Sequence, residues 1–360
     1  MPEYKLHYGP QHPGTHPFRI LLTVDGDVVV TAEPHIGYVH RGIEKLCEYR
    51  SYIMNIPVIN RACFMEGSFH EHAYAMAVEQ IYGVEIPQRA KYLRVLAGEL
   101  SRIHSLLSWF GGYVSELGFS TMYFWPWADR EYILDLFEEL TGARISTTYI
   151  LPGGVRWDLP DGFEKRVEKV MKYLEGRLAL YDKVVFKNEI FKARTKDVGV
   201  LKPSDVLKYG VTGPMARASG VKMDLRIDAP YSIYDEIEMD YNLLDGGDCY
   251  DRTKIRLMDI QQSIDIIRQV LKKLPGKEKV MKKLPIKAPV GEGYARIESA
   301  RGIHAYYVVS NGDRNPYRVK IRGASFNNMS VLPLIAKNVK MADIPAILGS
   351  IDVCPADLDR

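Results

Sequence analysis

Apolar residues recur along this chain at two periods, and the switches between them mark out its elements. The runs FRILLTV and DVVVTAEP are rich in β-branched residues and meet at Asp25-Gly26-Asp27, which predicts a hairpin. From Phe64 onward the spacing lengthens to three and four. AYAMAVEQIYG carries a helical stripe closed by Gly83, and Pro87 opens a longer helix to about Leu117. Leu93, Leu96, Leu100, Ile103 and Leu107 fall on one face of that helix, with Arg94, Glu99 and Arg102 between them. The same reasoning predicts helices over 40–52, 129–141, 161–193 and 250–274, and a short one in KPSDVLKYG capped by Ser204 or Asp205. Residues 152–162 form a turn cluster, and 210–249 read as a long irregular segment rich in Gly, Pro, Asp and Tyr. GYARIESARG, HAYYVVSNG and YRVKIRGAS predict three strands before a helical C-terminal stretch.

The fold class that follows is α+β, a large helical bundle core with small antiparallel sheets near both ends of the chain. A single domain over 1–360 is expected, with an N-terminal hairpin and loop (1–52), a helical body (53–290), and a β segment with a C-terminal site tail (291–360).

Composition narrows the function classes. A net charge of +3 gives no basic footprint for nucleic acid. The four cysteines, Cys47, Cys63, Cys249 and Cys354, form no CxxC pair, which argues against a zinc ribbon and fits a reducing compartment. The N-terminus lacks the apolar core of a signal peptide. The most apolar stretch, 106–128, is interrupted by glycines, Glu116 and Pro126, so no membrane span is expected. P-loop, GxGxxG and GxSxG motifs are all absent.

Three segments carry candidate chemistry. YGPQHPGTHP sets His12 and His16 in a loop that its prolines keep irregular, and histidine moves protons near neutral pH. RACFMEGSFHEHAY brings Arg61, Cys63 and Glu66 to the start of a helix, where the dipole and Arg61 are expected to lower the Cys63 thiol pKa. SIDVCPADLDR ends the chain with Cys354 and Asp357, either as a loose end or as a tethered site element. Arg217, Asp224, Arg226 and Arg252 are expected to form a buried ionic network that fixes loop geometry.

GPQHPGTHP, EPHIGYVHRGIEKLCEYR, HAYAMAVEQ, GELSRIHSLL, TGPMARASGVKMDLR, GDCYDRTKIR, ESARGIHAYYVVSNG, PYRVKIRGASF and SIDVCPADLDR run in this order over nearly the whole chain. Together they resemble the large catalytic subunit shared by respiratory complex I (its 49 kDa type) and the group 4 NiFe hydrogenases. The resemblance implies a hydrogenase-large-subunit fold. The hydrogenase branch holds its metals with two CxxC motifs. Here the second cysteine of each is replaced, by Glu66 and by Asp357. Carboxylates are hard ligands where soft thiolates are required, so no metal is expected on this chain. In the complex I branch a loop histidine and a helix tyrosine contact quinone, and the matching positions are His16 and Tyr74.

Retention of half the cysteines is similar to the archaeal membrane-bound sulfane sulfur reductase branch. That branch implies polysulfide reduction. Two facing thiols suit sulfur transfer, so Cys63 and Cys354 are the candidate pair, either of them the attacking thiol, with Arg61 to hold the anion and Glu66, Asp357, His12 and His16 as candidates for proton delivery. That branch also implies a cytoplasmic-face subunit of a membrane complex. The expected partners are an iron–sulfur small subunit whose proximal 4Fe–4S cluster lies close to the site, further cluster subunits, membrane ion-pumping subunits, and ferredoxin as donor. No cofactor is expected on this chain alone. A quinone-reducing complex I-type subunit and a group 4 hydrogenase subunit are the alternatives.

Overall fold

The alternating run at the N-terminus folds as a three-stranded antiparallel sheet in the order β1 (Tyr4–Tyr8), β2 (Arg19–Asp25), β3 (Val28–His35). The computed structural model describes residues 3–12 and 17–360. In β2 the side chains of Ile20, Leu22 and Val24 point into a core while Arg19, Leu21 and Thr23 stay half-buried, as a period of two requires. Gly26 makes the hairpin turn at φ +64, a left-handed conformation that favours glycine.

Two short helices, α1 (Ile43–Glu48) and α2 (Ile56–Asn60), lead into the buried helix α3 (Gly67–Tyr82). The long helix α4 (Gln88–Glu116) follows, packed along α5 (Thr121–Thr141). Helix α5 starts eight residues earlier than the sequence pattern suggests and takes in Pro126. Aromatic packing holds this added stretch: Trp127 stacks on Tyr123 at 5.0 Å and its indole donates to the Ser108 carbonyl of α4 at 3.2 Å.

A two-residue hairpin, β4 (Ile150–Leu151) and β5 (Gly154–Val155), precedes α6 (Phe163–Tyr181). The single helix expected over 161–193 is broken. A π turn at Asp182–Phe186 ends α6, and Asn188 starts α7 (Glu189–Thr195) by accepting the amides of Ile190 and Phe191 at 2.8 and 3.3 Å. The segment 200–248 carries the short helices α8 (Pro203–Tyr209), α9 (Pro214–Ala218) and α10 (Leu225–Asp228) and a 3-10 turn at Tyr234–Glu236. Helix α8 is entered through Lys202 and Pro203, and neither Ser204 nor Asp205 caps it. Helix α11 (Cys249–Lys273) then crosses α4.

The second sheet, β6 (Val290–Glu298), β7 (Ile303–Asn311) and β8 (Arg318–Arg322), is also antiparallel and lies against α3. Approach is so close that a Cβ on Gly293 would sit 1.9 Å from the Ala77 carbonyl oxygen. Four short helices finish the chain: α12 (Ala324–Met329), α13 (Leu332–Ile335), α14 (Ile344–Ile351) and α15 (Pro355–Asp359). The N-terminal sheet shares its core with these C-terminal helices, while α3–α6, α11 and the second sheet form the larger core.

The expected ionic network is present and fully buried. Arg217 reaches Asp224 at 2.9 Å and Asp259 at 2.5 Å, and Arg226 reaches Asp224 at 2.8 Å. Glu99 and Arg102, paired at 3.0 Å on α4, extend it. Arg252 lies apart, donating to the carbonyls of Gly199 and Gly247 at 2.9 and 2.7 Å. Among the described residues no helix is long and apolar enough to cross a membrane.

Candidate active site

The two halves of the cysteine pattern meet. Cys63 lies in the turn between α2 and α3, and Cys354 is the residue that opens α15. Their side chains face each other, both buried, and neither is in a disulfide. The C-terminal tail is tied down at several points. Asp359 accepts the amides of Gly37 and Val39 at 2.8 and 2.9 Å. The Arg41 guanidinium donates to the carbonyls of Arg61, Ala62 and Ala356, at 2.6, 3.2 and 2.9 Å, and so straps the two cysteine segments together.

The thiols are not equivalent. Burial, together with its contact to Cys354, pushes the Cys63 thiol well above its ordinary pKa. Cys354 is pulled down, first by its contact with Cys63 and then, against the opposing effect of burial, by the Arg301 charge and the Asp357 amide at the start of α15. The pair is thus biased toward a proton on Cys63, and Cys354 is the thiol more readily deprotonated. This reverses the expectation of a lowered Cys63. The side chain of Arg61 is exposed and turns back to the Pro57 carbonyl at 2.8 Å, so it does not reach the pair. Arg301, in the turn before β7, stands in its place. Its guanidinium lies 3.6 Å from the Cys63 sulfur and bridges Glu66 and Asp352 at 3.1 Å each.

The two replacement carboxylates also converge. The His304 imidazole lies between them, with Nε2 3.0 Å from Glu66 Oε2 and Nδ1 3.7 Å from Asp357 Oδ1. Burial opposes charge on Glu66, but Arg301 and His304 outweigh it and hold its pKa down at about 2. Burial likewise works against the His304 imidazolium, and Asp357 and Glu66 overcome it, so its pKa is raised. The His70 ring packs against that of His304, tilted by 38° with centroids 4.2 Å apart, and burial, then the His304 charge, take its pKa down to about 3. Its Nδ1 is 2.8 Å from the Tyr306 hydroxyl.

The other expected residues sit elsewhere. Tyr74 is fully buried on α3 one ring away from the cluster, 6.0 Å from Tyr306 between centroids. Its hydroxyl is engaged by the Tyr52 carbonyl at 3.1 Å and by the Asn55 amide at 3.3 Å. His12 is exposed at the N-terminal sheet, with its ring 4.1 Å from that of Tyr8. His16 lies outside the described residues. Arg301, His304, Asp352 and Arg41 lie in segments that carry the family resemblance, but nothing in their local pattern assigns them to the site. The one readable signal is alternation in β7, which puts His304 and Tyr306 on the face that packs against α3.

A buried pair of thiols beside a guanidinium and a carboxylate–imidazole–carboxylate bridge lies within a helical body that has the fold of a hydrogenase-type large subunit. The comparisons with known proteins agree. The family model for the 49 kDa subunit of respiratory-chain NADH dehydrogenase matches residues 116–286 and 279–360. A subunit of the NADH-quinone oxidoreductase of Desulforamulus reducens is 46% identical over 99% of this chain and 98% of its own length. The corresponding subunit from Geobacillus thermodenitrificans is 42% identical with the same coverage. A chain from the solved structure of the membrane-bound sulfane sulfur reductase, an archaeal respiratory membrane complex, superposes with a TM-score of 0.96. It is 40% identical over 99% of this chain and 98% of that one. This chain belongs to the family of the 49 kDa subunit of respiratory-chain NADH dehydrogenase.

Proposed function

We propose that this chain is the catalytic large subunit of a membrane-bound respiratory complex that reduces sulfane sulfur, with Cys63 and Cys354 as the working groups. The observation that carries the proposal is the contact between two buried thiols of opposite protonation bias beside Arg301. Likeness to a chain of the archaeal sulfane sulfur reductase supports it.

A polysulfide is an anion with electrophilic S–S bonds, and Arg301 offers it a cation. The Cys354 thiolate attacks a sulfane sulfur, the S–S bond breaks, and the shortened sulfide leaves with the electron pair and a proton from Cys63. Cys63, now a thiolate, attacks the Cys354 sulfur. A Cys63–Cys354 disulfide forms and the remaining sulfide departs as an anion, with Glu66 and the His304 Nε2 beside it, 3.0 Å apart, placed to pass it a proton. Two electrons and one proton then restore the thiol and the thiolate. An iron–sulfur cluster of a neighbouring small subunit, fed by ferredoxin through further cluster subunits, supplies those electrons, and membrane subunits carry the ion translocation. In this reading the chain is a peripheral subunit on the cytoplasmic face.

A second reading, quinone reduction, draws on the names of the curated relatives. The engaged hydroxyl and full burial of Tyr74 weigh against a direct quinone contact there. Offering polysulfide and a short-chain quinone in turn to the whole complex separates the two. Sulfane reduction that falls at least ~100-fold in Cys354→Ser supports the first, since a hydroxyl is a far weaker nucleophile than a thiolate at neutral pH. Quinone reduction at full rate in both Cys63→Ser and Cys354→Ser, with no polysulfide turnover in the unaltered complex, assigns the second.

A further inference from the structure

The side of His304 turned away from the thiols holds three ligand atoms that face one another. His70 Nε2, His304 Nδ1 and Asp357 Oδ1 all lie within 4.8 Å of each other, and all three residues are buried. Asp357 Oδ1 is 3.8 Å from His70 Nε2 and 3.7 Å from His304 Nδ1. These separations are too long for hydrogen bonds. They are close to the spacing that bonds of about 2.1 Å to one central ion impose on neighbouring ligands.

Each residue is oriented through its other polar atom. His70 Nδ1 is held by the Tyr306 hydroxyl at 2.8 Å, His304 Nε2 by Glu66 at 3.0 Å, and Asp357 Oδ2 by the Ser325 amide at 3.0 Å. That is the outer-shell arrangement of a metal-binding histidine, with the distal nitrogen fixed and the proximal lone pair free. The facing atoms are otherwise poorly served. Burial leaves His70 Nε2 and Asp357 Oδ1 with no hydrogen-bond partner, and His304 Nδ1 receives only the Ala324 amide at 3.4 Å. An unsatisfied buried nitrogen and an unsatisfied buried carboxylate oxygen pointing at one spot are costly unless something fills it. Among the described residues no Lys or Arg forms an ion pair with Asp357, because Arg301 is committed to Glu66 and Asp352. Space is held open by sequence as well: a Cβ on Gly323 would come within 2.1 Å of Asp357 Oδ1 and displace it.

We propose that His70, His304 and Asp357 bind one divalent transition-metal ion of the zinc or ferrous-iron class. Two imidazoles and one carboxylate suit these borderline ions and not magnesium or calcium, which take all-oxygen sites. This differs from the thiolate set that the sequence pattern argues against, since no cysteine is a ligand here. The ion neutralises Asp357 and locks His304, which leaves Glu66 as the carboxylate facing the thiols. The inference does not depend on which substrate the thiols reduce.

The test uses the complex purified without oxygen and a panel of His70→Ala, Asp357→Asn and Tyr306→Phe. Metal is stripped with chelator, zinc or ferrous ion is added back, and bound metal is counted by plasma mass spectrometry, with the cluster iron subtracted from acid-labile sulfide. Cobalt added in place of zinc gives a second readout, visible d–d absorption. The expected result is one equivalent of zinc or iron per chain above the clusters in the unaltered complex. His70→Ala and Asp357→Asn lose it together with the cobalt bands, and Tyr306→Phe binds about 10- to 100-fold more weakly. No added equivalent and no cobalt bands in the unaltered complex overturn the proposal, whether or not any variant assembles. An equivalent that survives in assembled His70→Ala and Asp357→Asn also overturns it, because the ion is then bound elsewhere.

Discussion

Arg301 is the only cation that touches both the thiol pair and the carboxylates around it among the described residues, and removing it is the most informative single change. Consider Arg301→Met, which keeps most of the side-chain volume and deletes the charge. Its guanidinium pairs with Glu66 and Asp352 at 3.1 Å each, all three side chains being almost completely buried. At an effective dielectric constant of about 20, each such pair is worth about 5 kcal/mol of attraction. Much of that is offset by the cost of taking the guanidinium out of water. Stranding a partner in a buried pair costs about 3–5 kcal/mol net. For 360 residues the unfolding entropy makes 1 kcal/mol worth about 1.3 °C, so the melting temperature should fall by about 4–7 °C. The assay is a thermal melt of the purified protein at pH 7, repeated for Glu66→Gln and for the double variant. Removing Glu66's charge should recover at least ~1 kcal/mol of the Arg301→Met loss, the signature of coupled sites. An Arg301→Met melt within ~0.5 kcal/mol of the parent refutes the assignment of Arg301 as the compensating charge.

Glu116 supplies a pH test away from the site. Burial raises its pKa to about 7 in the folded chain, against about 4.3 when unfolded. The folded state therefore favours its protonated form, and the resulting penalty is absent below pH 4 and grows as pH rises to 7. Glu116→Gln should match the parent at pH 4 and exceed it by about 3 kcal/mol at pH 8; equal melting curves at both pH values contradict this. Asn188→Ala removes the side chain that accepts the Ile190 and Phe191 amides in the first turn of α7, and should cost about 1 kcal/mol in a urea titration. Gly293→Ala forces β6 away from α3, where the added carbon would overlap the Ala77 carbonyl, and should cost about 1–3 kcal/mol by the same measurement.

Local periodicity carries most of the architecture. The hairpin at Gly26, the stripe of α4 and the three strands after residue 290 are legible because each is set by neighbours in sequence. The break between α6 and α7 is not, since Lys- and Glu-rich polarity continues through it and only the Asn188 cap marks the restart. The thiol pair is legible as two matching half-motifs, 291 residues apart. Its polarity is not, because the segment near Cys63 resembles a helix start. The true helix start is at Glu66, whereas Pro355 at the first helical position signals that Cys354 opens α15. Arg301 and His304 come from a strand and its turn 238 residues beyond Cys63 and Glu66. No local pattern ties them to the thiols; the packing of β7 on α3 does.

The proposed reaction turns on Cys354 as the attacking thiolate and Cys63 as its resolving partner. The most direct measurement mixes the complex, its thiols reduced and no electron donor present, with polysulfide in a single turnover. Acid and an alkylating agent quench the reaction, and both cysteines are mapped by mass spectrometry. The account predicts a Cys63–Cys354 disulfide in the unaltered complex and a persulfide trapped on Cys354 in Cys63→Ser. Two cysteines recovered fully reduced, while polysulfide is consumed on addition of electrons at the same rate in Cys354→Ser, would contradict it.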